Sequence, residues 1–110
     1  MTDQGKKYLS DIQLAIELIE QFISTTDNYN DYSKDLKTQS AVERQLGIIG
    51  EAVNKFDKLL PDLTLENAKK IVGFRNRLIH SYDSVDSSMI WVIIKKHLQP
   101  LKEEVKDKLR

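Results

Sequence analysis

The chain of 110 residues has no cysteine. That excludes disulfide staples and thiolate chemistry, and it fits a cytoplasmic protein. Proline occurs twice and glycine four times, so few positions interrupt a helix. Charge of one sign is also missing: 17 Lys and Arg balance 17 Asp and Glu. A chain of zero net charge does not coat nucleic acid through bulk attraction, so any phosphate recognition has to be local. The longest apolar run, Met89 to Ile94, is far shorter than the ~20 residues that cross a bilayer. Asp3, Lys6, Lys7, Asp11, Glu17, Glu20 and Asp27 punctuate the start, so no signal-peptide core and no membrane partner are expected. His80 and His97 lack close metal-ligand spacing, which predicts no metal site. There is no glycine-rich phosphate loop, nucleophile elbow or H-E-x-x-H motif.

What the chain does have is apolar periodicity at helical spacing. Hydrophobic residues make up 40% and charged residues 31%, the balance of one globular domain over residues 1–110. Tyr8, Leu9, Ile12, Ala15, Ile16, Ile19, Phe22 and Ile23 form a first stripe, ending near Thr25 or Thr26. Asp27 to Ser33 is rich in Asn, Asp and Ser and predicts a loop. Val42, Leu46, Ile49, Val53, Phe56 and Leu60 form a second stripe, stopped by Pro61. Thr64 is placed to cap a third helix, with Leu65, Ala68, Ile71, Val72, Leu78 and Ile79 on its apolar side. Ser84 or Asp86 is placed to cap a fourth. Its apolar start, Met89 to Ile94, predicts burial on more than one side and hence a subunit interface. His97 falls on that helix's stripe with Ile90, Ile94 and Leu101 and reads as a core or interface histidine. The expectation is an all-α, up-and-down four-helix bundle whose last helix is kinked or broken near Pro100.

One segment stands apart. Arg75-Asn76-Arg77-Leu78-Ile79-His80-Ser81-Tyr82 places two guanidinium groups, a carboxamide, an imidazole and a phenol within eight residues. No acidic residue lies between Asn67 and Asp83, whereas Lys69, Lys70, Arg75 and Arg77 all do. Along a helix, Leu65, Ala68, Val72, Arg75, Ile79 and Tyr82 form one stripe, so Arg75 takes a position the pattern reserves for the core. A guanidinium there needs a partner, for which Glu43 and Glu51 are candidates, or else a cleft that receives an anion. His80 is roughly 140° from Arg75 around an ideal helix. Either the helix ends at His80 and the imidazole swings back, or the site is assembled across a dimer.

These groups suit attack on a phosphodiester. Arginine is a fixed cation that matches phosphate oxygens, and histidine exchanges protons near neutral pH. In RNA the adjacent 2′-hydroxyl serves as nucleophile, so the reaction calls for no metal or other cofactor. It does want both an acid and a base, which two copies of one histidine in a two-fold dimer would supply. The bland alternative is that Arg75 and His80 only stabilise a helix C-terminus, with Lys69 and Lys70 on a solvated face.

The spacing Arg-x4-His-x-Tyr from Arg75 to Tyr82 resembles the signature of the HEPN superfamily, more closely its HepT-like branch. Gln39 to Leu46 with Ile48 to Ala52, Ile71 to Tyr82, the Trp91 segment and the Leu98-Gln99-Pro100-Leu101 break are similar to that branch as well. The resemblance implies a dimeric helical toxin of a toxin–antitoxin pair, acting as a metal-independent endoribonuclease. Arg75 and His80 would be its catalytic residues in a cleft at the dimer interface. It implies a minimal nucleotidyltransferase antitoxin as partner, in a larger hetero-oligomer or through transfer of AMP to Tyr82. Asn76 would then contact phosphate or support the site, and Arg77, Lys69 and Lys70 would assist RNA binding. The same resemblance also implies an alternative, a non-catalytic substrate-binding or docking subunit of a two-component nucleotidyltransferase.

Overall fold

The computed structural model describes residues 1–80 and 87–110, and for positions 75 and 77–80 the backbone alone. It is all-helical among those residues. The helices are α1 (Asp3–Phe22), α2 (Tyr29–Lys34), α3 (Leu36–Leu59), α4 (Lys69–His80), α5 (Ser87–Lys96) and α6 (Leu98–Leu109), with 3-10 turns at Pro61–Leu63 and Glu66–Ala68.

The two long helices form where the apolar stripes predict them, and each begins at a side-chain cap. Thr2 Oγ1 accepts from the Gly5 N–H at 3.0 Å ahead of α1. Asp35 Oδ1 accepts from the Thr38 N–H at 3.0 Å ahead of α3, and its Oδ2 accepts from the Thr38 hydroxyl at 2.6 Å. Such caps satisfy amides that have no partner inside the helix, each worth about 1 kcal/mol. Leu9, Ile12, Ile16 and Ile19 of α1 are fully buried, as are Val42, Leu46, Ile49 and Phe56 of α3. Each such side chain contributes about 1.5–3 kcal/mol of apolar burial. Helix α1 packs along α3, α4 lies on the other part of α3, and α6 closes against α1.

The Asp27 to Ser33 segment corrects the expected loop. It contains α2, capped by Asn28 Oδ1 accepting from the Asp31 N–H at 2.9 Å. The Asn and Asp residues that suggested a loop include the cap itself. Tertiary burial does the rest: Tyr32 is fully buried and its ring lies 5.2 Å from that of Trp91 on α5. Gln39 Nε2 donates to the Tyr32 carbonyl at 2.7 Å, fastening α2 to α3.

One further boundary differs from expectation. Thr64 does not cap α4, which begins at Lys69 after the Glu66–Ala68 turn. The turn's amides are met from elsewhere: Leu65 N–H donates to Asp57 Oδ1 at 3.0 Å, and the Glu66 and Asn67 N–H groups donate to Glu104 on α6 at 2.9 Å each. The break expected near Pro100 is present: the helix is interrupted at His97, three residues before the proline, giving α5 and α6. Pro100 sits in the first turn of α6, where a missing N–H costs nothing. The expected caps Ser84 and Asp86 lie outside the described residues.

Candidate active site

Helix α4 carries the charged segment. Its inner side is set by Ala68, Ile71 and Phe74, all buried. Phe74 was absent from the expected apolar face, and Val72, which was expected there, is half-buried. The Arg75 backbone lies one turn after Ile71, on the inner side. The His80 backbone lies on the opposite flank, in a column with Lys69, Gly73 and Asn76 that spans about 60° around the axis. Lys69, Gly73 and Asn76 are exposed. Helical backbone through His80 therefore keeps positions 75 and 80 roughly 140° apart, so α4 does not gather them on one face. Arg77 follows Gly73 by one turn on the same helix. Tyr82 lies outside the described residues.

The candidate arginine partners sit on α3. Glu51 is exposed and pairs with Lys55 at 3.0 Å. Glu43 is half-buried and makes no ion pair among the described residues. Burial pushes its carboxyl pKa above the ordinary value. Lys69 reaches Glu66 only at 3.9 Å, with both side chains largely exposed, a contact worth little against solvent screening. Lys70 is exposed.

Two cavities flank α4. One, of about 830 Å³, lies between α4 and α5 and is lined by Lys69, Lys70, Gly73, Met89, Val92 and His97, among others. The other, of about 500 Å³, lies between α3 and α4 and is lined by Asn54, Asp57, Glu66, Val72, Gly73 and Asn76, among others. Asp57 is pushed up by burial, although the Leu65 N–H bond opposes the shift. The two cavities differ in their carboxylates: none lines the first among the described residues, whereas Asp57 and Glu66 line the second, with Lys69 bordering both. Half-buried His97 thus lies at the α4–α5 groove with the two lysines. The periodicity treated His97 and the lysines separately.

These features define an all-helical protein with a basic flank on the helix that bears the Arg-x4-His spacing. The comparisons with known proteins make that specific. Residues 12–107 match the family model described as ribonuclease HepT-like, and the chain belongs to that family. It is 40% identical over 114 aligned residues to a protein of Thermococcus cleftensis named "Probable ribonuclease HepT", covering 100% of this chain and 99% of that one. It is 35% identical to "Putative RNase MJ1380" of Methanocaldococcus jannaschii, covering 91% of this chain and 92% of that protein. A similarly named protein of Caldanaerobacter subterraneus is 36% identical, covering 76% of this chain and 75% of its own. No solved structure matches. No helix among the described residues is long and apolar enough to cross a membrane.

Proposed function

We propose that this protein is the endoribonuclease toxin of a toxin–antitoxin pair, cutting RNA at a site built from Arg75 and His80. The observation that carries the proposal is the family match over residues 12–107, which contains the whole Arg-x4-His-x-Tyr segment. The names of the relatives support the same activity.

In this mechanism the RNA 2′-hydroxyl attacks the adjacent phosphorus and the 5′-oxygen of the next nucleotide leaves, giving a 2′,3′-cyclic phosphate end. His80 takes the 2′-hydroxyl proton or returns one to the leaving oxygen, and Arg75 holds the negative charge that builds on the phosphate oxygens. The wide angular separation of positions 75 and 80 on α4 favours a two-fold homodimer, in which two histidines serve as acid and base. A carboxylate on α3, Glu51 or Glu43, orients Arg75. Asn76, Arg77, Lys69 and Lys70 bind the RNA backbone. Six helices then make an up-and-down four-helix bundle, with α5 and α6 as its broken fourth rod and α2 as an insertion. The antitoxin is a minimal nucleotidyltransferase in the same cytoplasm. It silences the site by AMP transfer to Tyr82, whose added negative charge repels RNA phosphates.

The test is cleavage of a panel of RNAs in EDTA by purified protein, with Tyr82 shown by mass spectrometry to carry no AMP, beside His80→Ala. Cleavage by the parent alone is the expected result. Cleavage by both would remove His80 from the mechanism. Cleavage by neither would turn the function to the docking-subunit alternative.

A further inference from the structure

The groove between α4 and α5 combines features that neither a solvated lysine face nor an ordinary core edge has. Its walls include Phe74, Met89, Val92 and Ile93, and among the described residues its charged lining residues are Lys69 and Lys70. Val92 is 46% exposed, on a helix whose other apolar residues are buried or half-buried. A cavity of about 830 Å³ is within the ~300–1,000 Å³ usual for small-ligand sites. An apolar wall beside cations and, among the described residues, without carboxylates suits an occupant that is flat and apolar in one part and anionic in another.

Two more observations point the groove at His80. Lys69, Gly73, Asn76 and His80 occupy one column of α4, about 16 Å long at the helical rise; Lys69 and Gly73 border both cavities, and Asn76 borders the one on the α3 side. Gly73 leaves that column bare, since a Cβ built there would meet nothing within 4 Å. A helix-interior glycine costs about 1 kcal/mol, and no neighbour among the described residues requires this one. The cavity on the other flank of α4 holds Asp57 and Glu66 and would repel a phosphate. Charge therefore directs a polyanion that reaches His80 along the α5 side.

We propose that the α4–α5 groove binds an unpaired nucleotide of the RNA flanking the cleaved bond, with its base against Met89 and Val92 and its phosphates on Lys69 and Lys70. The inference rests on the nuclease reading and adds to it a requirement: the strand must be single where it crosses the groove, because a paired base offers no free face to an apolar wall. Selection of RNA then comes from unpaired sequence held at a distance from the cut.

The test uses the full chain carrying His80→Ala, so that RNA stays intact, and fluorescence anisotropy with a labelled single-stranded RNA and the same strand in a duplex. Parent protein with 2′-O-methyl RNA repeats the measurement in case His80→Ala fails to fold. The single strand should bind several-fold more tightly than the duplex. Lys69→Ala and Lys70→Ala should weaken it and make the slope of log affinity against log salt shallower by about 0.7 per lysine. Val92→Glu should weaken it with helicity and mass unchanged, and Lys7→Ala on α1 should not. Groove variants that bind like their background, or a Lys7→Ala loss of equal size, would overturn the inference while the parent still cuts RNA. A lower sedimenting mass for Val92→Glu would assign the groove to a protein copy and also overturn it. A parent that neither binds nor cuts RNA would remove the nuclease reading and the groove assignment together.

Discussion

Glu104 on α6 holds Asn67 twice, accepting from its backbone N–H at 2.9 Å and from its side-chain Nδ2 at 3.0 Å. The other carboxylate oxygen accepts from the Glu66 N–H at 2.9 Å. One side chain thereby caps the turn that launches α4 and fixes that helix's start against α6.

Glu104→Ala should therefore destabilise the protein by about 1–2 kcal/mol, the cost of losing a cap. In a chain of this size that is a fall in Tm of about 4–8 °C per kcal/mol. Glu104→Gln keeps an acceptor oxygen and should cost less. Thermal unfolding followed by circular dichroism measures both, and an Ala variant as stable as the parent would show that the three bonds carry no net stability.

Gly73 and Gly5 give a contrasting pair. Gly73→Ala adds a Cβ in open space within α4, so it should stabilise by about 0.5–1 kcal/mol through helix propensity and the unfolded chain. At Gly5 the same Cβ would lie 2.9 Å from Leu60 Cδ1 and 3.1 Å from Met1 Cγ. Those side chains must shift, which offsets the gain, so Gly5→Ala should yield less than Gly73→Ala in urea denaturation. Equal gains would mean that Leu60 and Met1 move aside freely.

Tyr32 presents a buried hydroxyl with no hydrogen-bond partner among the described residues. Its pKa is raised far above the ordinary phenol value, chiefly by burial and then by the charges of Glu43 and Asp35. Tyr32→Phe removes an unsatisfied group whose desolvation costs about 1–3 kcal/mol, so it should be neutral or stabilising. Tyr32→Ala loses the ring beside Trp91 and should cost about 3–5 kcal/mol. A destabilised Phe variant would reveal a partner for the hydroxyl in solution.

Much of this architecture is legible locally. The stripes of α1 and α3 appear as written because every core position there follows the 3.6-residue period, and both helices begin at a Thr or Asp cap. The errors fall where distant residues decide. α2 exists because Tyr32 is buried against a ring 59 positions on, and α4 starts where Glu104, 37 positions beyond Asn67, supplies the cap that Thr64 does not. The core side of α4 runs through Ile71, which the expected apolar side included, and Phe74, which it did not. Of the site, the Arg75 to Tyr82 segment is legible as a motif. The α4–α5 groove is not, because Lys69, Gly73 and His97 come to line one cavity only in the folded chain.

Glu43 allows a test by sign. Burial raises its carboxyl pKa above the ordinary 4.5 in the folded protein, so the folded state binds the proton more tightly than the unfolded chain does. The stability cost of ionising it is absent well below that value. It grows as pH rises through the interval between the ordinary and raised pKa and persists at neutral pH. Glu43→Gln removes the cost. It should stabilise the protein at pH 7 by well under about 1 kcal/mol, given partial exposure, and not at pH 3. Urea denaturation at the two pH values measures the difference, and an NMR titration of the side chain should place its midpoint above 4.5. An ion pair with Arg75 would reverse both signs, lowering the midpoint and making Glu43→Gln destabilising at pH 7. The expected result would remove Glu43 from the candidate partners of Arg75.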